Sequence, residues 1–242
     1  MTMALSPASV RVEELKRLLV RARALVFDVD GTLAETEELH RQAFNEAFAR
    51  YGMDWHWGRT VYKELLLTAG GKERIRAFDS MRTSPQRLDD GEIVDLHRIK
   101  TACFADLLAS QGCPLRPGVT ELISAAMRRG QRLAIATTTS RENINALLSA
   151  ALGKGWSDLF EVVVAGDEVA RKKPAPDVYL AALSGLGLSG PECLAIEDSA
   201  NGLLAARHAD IPVLITRSLY FRDDDFAEAL LVVEDLTELP EI

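Results

Sequence analysis

Ala24-Leu25-Val26-Phe27-Asp28-Val29-Asp30-Gly31-Thr32 is an apolar run that ends in two carboxylates and a glycine. The four apolar residues read as a buried strand, and Asp-x-Asp-Gly reads as the loop that it enters. Runs of the same kind recur at Leu133-Ala134-Ile135-Ala136, Glu161-Val162-Val163-Val164-Ala165, Cys193-Leu194-Ala195-Ile196 and Ile211-Pro212-Val213-Leu214-Ile215. Helical patterns lie between them, over residues 118–129, 140–152, 177–186 and 201–209. Near-continuous apolar strands alternating with helices predict an α/β fold, a doubly wound parallel sheet covered on both faces.

One interval breaks the rhythm. Roughly a hundred residues separate the first strand from the second, where a βαβ crossover needs only about thirty. That interval is rich in Leu, Ala, Glu and Arg, and predicts helices over residues 37–51, 57–67, 72–81 and 89–109. The expected organisation is a core domain of residues 1–36 and 110–242, with a helical cap domain of residues 37–109 inserted after the first strand. Two linkers follow from the departure and return of the chain. One lies near Ala34-Glu35, the other over residues 112–117, where Pro114, Pro117 and Gly118 act as breakers.

The chain has 242 residues, 48% hydrophobic and 26% charged, enough to bury a sizeable core. Its net charge of −8 argues against a nucleic-acid partner, because phosphate backbones reward basic patches. Cys103, Cys113 and Cys193 are scattered and odd in number, which fits small buried hydrophobes in a reducing compartment. No apolar run is long enough for a membrane span, and residues 1–23 read as an amphipathic helix leading into the first strand. The expected setting is the cytoplasm and the expected state a monomer. Asp223-Asp224-Asp225 reads as a solvated acidic turn.

In open parallel sheets, ligands bind beyond the carboxyl ends of the strands. Asp28 and Asp30 follow the first strand, and carboxylates this close need a cation between or beside them. Mg²⁺ meets that need, since it takes oxygen ligands and also holds phosphate. A carboxylate such as Asp28 can attack phosphorus to form an aspartyl-phosphate. After the second strand, Thr137-Thr138-Thr139-Ser140 offers hydroxyls and backbone N–H groups as a phosphate cradle. After the third, Lys173 stands in a turn stiffened by Pro174 and Pro176, suited to neutralising charge on a phosphoryl group. After the fourth, Glu197-Asp198 supplies a second acidic pair for an octahedral ion. Taken singly, each could be a capping turn or solvated loop. Together, at consecutive strand ends, they converge on one crevice.

This ordered set resembles the haloacid dehalogenase-like hydrolase superfamily from Ala24 to the last strand. The resemblance implies that Asp28 is the nucleophile and Asp30 the general acid/base. It also implies that Thr137 holds the transferring phosphoryl, that Lys173 stabilises it, and that Mg²⁺ is bound by Asp28, Asp30 (through its backbone carbonyl), Glu197 and Asp198. The position of the helical insert resembles the cap class of β-phosphoglucomutase and phosphoglycolate phosphatase. Residues 34–44, Gly70-Gly71-Lys72-Glu73-Arg74 and Ala136-Thr137-Thr138-Thr139-Ser140 are similar to the CbbY group of carbon-fixing bacteria. That likeness implies a sugar-phosphate phosphatase, with xylulose-1,5-bisphosphate as the substrate.

A bisphosphate fits the insert's cations, since only one phosphate can sit at Asp28. Gly71, Lys72 and Arg74 offer a loop and helix N-terminus for the other. The resemblance adds Lys100, Glu37 and His40 follow the first motif closely enough to reach sugar hydroxyls, and Thr138 and Thr139 complete the expected substrate-binding set. A phosphomutase would use the same site and return the phosphoryl to the sugar. A phosphoglycolate phosphatase and a noncatalytic binding protein on this scaffold are also compatible with the motifs.

Overall fold

The computed structural model describes residues 7–83 and 86–240. β1 (Ala24–Phe27) lies at the centre of the sheet because all four of its residues are buried and both faces must be covered. It pairs in parallel with β2 (Arg132–Ala136) on one side and β4 (Cys193–Glu197) on the other. With β3 (Val162–Val164), β5 (Val213–Thr216) and β6 (Leu231–Val233), the order is β3-β2-β1-β4-β5-β6, and every pairing is parallel. The expected doubly wound sheet is therefore present. It gains a sixth strand absent from the expected set, from the apolar run Ala229-Leu230-Leu231-Val232-Val233, which no helical pattern separates from β5.

The two faces of the sheet differ in bulk. Leu25, Phe27, Leu133, Ile135, Leu194 and Ile196 face one cluster, which includes α1 (Pro7–Arg21), α6 (Val119–Arg128) and α7 (Arg141–Leu152). Ala24, Val26, Ala134, Ala136, Cys193 and Ala195 face the other, against α8 (Asp177–Leu186) and α9 (Ala200–His208). Small side chains let the helices on that face approach closely, which brings Tyr179 of α8 up to the strand ends. The expected N-terminal helix is observed from Pro7; residues 1–6 lie outside the described residues. No helix among the described residues is long and apolar enough to cross a membrane.

Between β1 and α6 run α2 (Glu37–Arg50), α3 (Arg59–Leu65), α4 (Gly71–Met81) and α5 (Asp90–Gln111). Phe44, Phe48, Trp57 and Tyr62 form their aromatic centre, with the Phe44 and Trp57 rings 4.5 Å apart. A capping box starts α5: Asp89 Oδ1 accepts from the Glu92 N–H at 2.8 Å, and Glu92 Oε2 accepts from the Asp89 N–H at 2.9 Å. α3 begins two residues later than expected because Asn45 holds the Trp57 N–H at 2.7 Å and the Trp57 carbonyl at 3.1 Å, in place of helical bonds. The two linkers run side by side. Ala34 bridges Leu115 in antiparallel fashion, and the Arg116 N–H donates to the Leu33 carbonyl at 2.8 Å.

Candidate active site

Asp28 is the first residue beyond β1, and its N–H donates to the Ile196 carbonyl at 3.0 Å, so the sheet itself positions it. Lys173 reaches in from the loop before α8. Its Nζ donates to Asp28 Oδ1 and to Glu197 Oε1, each at 2.6 Å. The Tyr179 hydroxyl donates to the same Glu197 oxygen at 2.5 Å. Glu197 Oε2 accepts from the Asp198 N–H at 3.3 Å. Two glycines make room for these carboxylates. A Cβ on Gly31, whose φ is +79°, would stand 1.9 Å from Asp198 Oδ2, and one on Gly202 would stand 2.0 Å from Glu197 Oε2.

Asp28, Glu197 and Asp198 are all buried and place ligand oxygens within 4.8 Å of one another. Of these three carboxylates only Asp28 and Glu197 pair with the Lys173 ammonium. Burial pushes the Asp28 carboxyl up to about 8, with Glu197 adding to the rise and Lys173 opposing it. Burial, then Asp28 and Glu197, likewise hold Asp198 well above the usual carboxylate range. Asp198 Oδ2 is buried without a hydrogen-bond partner. An all-oxygen donor set with surplus negative charge and one orphaned oxygen fits a divalent cation such as Mg²⁺.

Asp30 does something else with its side chain. Its carboxylate turns from the cluster toward the helical layer, where Oδ1 accepts from Thr36 Oγ1 at 2.6 Å and pairs with His40 Nε2 at 3.1 Å. The metal contact expected of Asp30 is through its backbone carbonyl, so this orientation frees its carboxylate for proton transfer. Lys100 Nζ donates to His40 Nδ1 at 2.7 Å, which leaves Nε2 as the protonated nitrogen facing Asp30. The His40 ring stacks on Phe104 at 4.1 Å. Burial holds Lys100 down to about 7, though Asp30 and Glu37 pull the other way. Burial disfavours a charge on Asp30 too, yet His40 and Thr36 hold its carboxyl well below the usual range.

A narrow cleft joins these groups. Concave sites with a few convergent polar groups are where small ligands bind. Thr137, Thr138 and Thr139 line it, with the Thr139 N–H directed to Thr137 Oγ1 at 3.4 Å and Ser140 capping α7. Glu37, His40, Gly71, Lys72, Arg74 and Lys100 line the side formed by the helical layer, so every residue expected at the site lines this cavity except Glu197, which is fully buried and joined to it through Lys173. Their donors are not equally available. Arg74 is buried, and it donates from Nε to the Leu65 carbonyl at 3.2 Å and from Nη1 to the Tyr62 hydroxyl at 3.1 Å. The Tyr62 hydroxyl in turn donates to Glu37 Oε2 at 2.6 Å. Lys100 is committed to His40, whereas Lys72 has no hydrogen bond or ion pair among the described residues. Thr36, Tyr62, Tyr179 and Lys172 lie at the site but outside the expected set. Only Lys172 carries a sequence signal, as the neighbour of Lys173; a lone tyrosine in an apolar helix reads as core.

A haloacid dehalogenase-like hydrolase profile matches residues 22–210. The chain is 54% identical over 216 residues to protein CbbY of Rhodobacter capsulatus, covering 89% of this chain and 94% of that protein. It is 48% identical over 217 residues to protein CbbY of Cereibacter sphaeroides, covering 89% and 93%. Among solved structures, CbbY from Rhodobacter sphaeroides in complex with phosphate superposes with a TM-score of 0.86 at 48% identity, over 90% of this chain and 96% of that one. An Asp-to-Asn mutant of that protein in complex with xylulose-(1,5)bisphosphate gives the same TM-score at 47% identity and the same coverage. β-Phosphoglucomutase from Clostridium difficile shares the fold, with a TM-score of 0.74 at 23% identity.

Proposed function

The chain is a phosphatase of the haloacid dehalogenase-like hydrolase family, and from that premise we propose that it hydrolyses a small sugar phosphate, xylulose-1,5-bisphosphate in the first place, through an aspartyl-phosphate on Asp28. The observation that carries this reading is the buried group of Asp28, Glu197 and Asp198 held around Lys173, with Lys173 Nζ 2.6 Å from Asp28 Oδ1. The substrate follows from the relatives: this chain is 47% identical to the CbbY that was crystallised with the bisphosphate.

Mg²⁺, held by Asp28, Asp198 and Glu197, would supply counter-charge and polarise the phosphoryl oxygens. Asp28 attacks phosphorus in line with the leaving sugar oxygen. Lys173 keeps the Asp28 carboxylate oriented and offsets the charge that gathers on the phosphoryl oxygens. The N–H groups and hydroxyls of Thr137 and Thr138 hold the other phosphoryl oxygens. The charge of a bound phosphate beside Asp30 raises its proton affinity, so Asp30 takes up a proton with the substrate, passes it to the departing sugar oxygen, and then takes a proton from the water that attacks the aspartyl-phosphate. His40 and Lys100 position Asp30 and connect it to the helical layer. Residues 37–109 act as a cap that closes over the cavity and excludes bulk water.

The test is a phosphate-release screen with Mg²⁺ against pentulose and hexose mono- and bisphosphates, phosphoglycolate included. Preference for the pentulose bisphosphate, lost on chelation, supports the reading. Formation of an isomeric sugar phosphate without free phosphate would establish a mutase instead.

A further inference from the structure

Lys172, next to Lys173 in sequence, points to the opposite end of the cavity. Its side chain is only 17% exposed, and its Nζ donates to the Gly166 carbonyl at 2.9 Å. Glu73 Oε1 of α4 stands 3.8 Å away, too far for a hydrogen bond. A lysine ammonium has three donors, so one firm acceptor leaves it under-used. The stem of Lys172 lies across Gly70 of the helical layer: a Cβ on Gly70 would stand 2.5 Å from both Cδ and Cε. This core lysine is therefore seated on the glycine loop that leads into α4, beside Lys72.

The other cations of the cavity wall are committed. Arg74 is bound to Leu65 and Tyr62, Lys173 to Asp28 and Glu197, and Lys100 to His40 with its ammonium also over the Phe44 and Phe104 rings, at 4.9 and 5.2 Å. Among the described residues, Lys72 and Lys172 keep free donors, one on each side of the seam between helical layer and core. Both lie near enough to His97 to help lower its pKa, after burial and Lys100, so they belong to the same end of the cavity. The described anion facing Lys172 there is Glu73, whose Oε2 is buried without a partner.

We propose that Lys172 is the core's half of a second phosphate site: the remote phosphate of a bisphosphate substrate binds Lys172 together with Lys72 and so ties the helical layer to the core. The inference rests on the sugar-bisphosphate reading above. It makes the doubly phosphorylated substrate its own closing device, because a monophosphate held at Asp28 leaves this end empty. Lys172 displaces its weak contact with Glu73 in favour of a charge-assisted bond to phosphate.

The experiment compares the unmodified protein with Lys172→Met and Lys172→Arg, using xylulose-1,5-bisphosphate and a pentulose monophosphate with saturating Mg²⁺. Methionine keeps the aliphatic stem on Gly70 and removes only the ammonium. The expected result is a KM for the bisphosphate raised roughly tenfold to a hundredfold in Lys172→Met, a kcat/KM loss at least tenfold larger than for the monophosphate, and substantial recovery in Lys172→Arg. In an Asp28→Asn background, calorimetry should show the same ratio in Kd. Equal losses for both substrates, or none, overturn the assignment of Lys172 and leave the bisphosphate reading standing. An unmodified protein that handles the monophosphate as well as the bisphosphate overturns both.

Discussion

A Cβ on Gly31 would lie 1.9 Å from Asp198 Oδ2, so the turn after β1 and the acidic pair after β4 occupy the same space unless residue 31 has no side chain. The φ of +79° at Gly31 adds a second reason for glycine. Gly31→Ala is expected to lower stability by about 1–2 kcal/mol through the backbone alone. It should also push Asp198 out of the carboxylate cluster. Mg²⁺ titration by calorimetry should show affinity down by at least about tenfold, a loss that a second-site stabilising mutation does not restore. Unchanged Mg²⁺ affinity would separate the turn from the metal site.

Asp28→Asn removes the proposed nucleophile and should abolish turnover, with kcat down by about a thousandfold or more. It also removes one of three crowded buried carboxylates, two of which share the Lys173 ammonium. In metal-free buffer the variant should therefore melt higher than the parent, by several degrees for a gain of about 1–2 kcal/mol. A variant that turns over normally would remove Asp28 from the chemistry.

The same crowding predicts an unusual pH dependence. The Asp28 carboxyl rises from 3.8 to about 8, first because of burial. A group whose folded pKa is raised lends stability that is complete below the unfolded value and is lost as pH rises through the folded one. The metal-free protein should accordingly lose melting temperature as pH increases from about 4 toward 8. Saturating Mg²⁺ should flatten that slope, because the cation favours the ionised carboxylates. A thermal-shift series with and without Mg²⁺ reads this directly, and parallel curves would contradict it.

Lys100, His40 and Asp30 form one hydrogen-bonded chain, with contacts of 2.7 and 3.1 Å. Lys100→Met and His40→Ala should each lower kcat by roughly tenfold to a hundredfold, with a smaller change in KM. The double variant should lose little more than the worse single one, since both act through Asp30. Additive losses would mean that Lys100 and His40 serve separate ends.

Much of this molecule is legible as sequence because the signals are local. An apolar run of four, an Asp-x-Asp-Gly turn and helical periodicities place β1, the alternating elements and the long helical insertion within a few residues of their observed bounds. The ordered motifs place Asp28, Thr137, Lys173 and Glu197-Asp198 at strand ends, because a parallel sheet sends every carboxyl end the same way. β6 is missed although residues 229–233 form an apolar run, because the acidic turn before it, and not a helix, connects it to β5 and breaks the alternation that marks the other strands.

What a side chain points at depends on chain segments far away in sequence, and here only the tertiary structure decided. It turned the Asp30 carboxylate toward Thr36 and His40, apart from the cluster of Asp28, Glu197 and Asp198. It tied Arg74 to Tyr62 and Lys100 to His40, and it left Lys72 and Lys172 with donors to spare. It brought Tyr179 from α8 to Glu197 across a face lined with small side chains. Residue types at strand ends determined which chemistry the chain can perform. Packing between the sheet and the inserted helices determined which of its charges remain free to bind a substrate, because a buried donor goes to whatever acceptor the fold brings within reach.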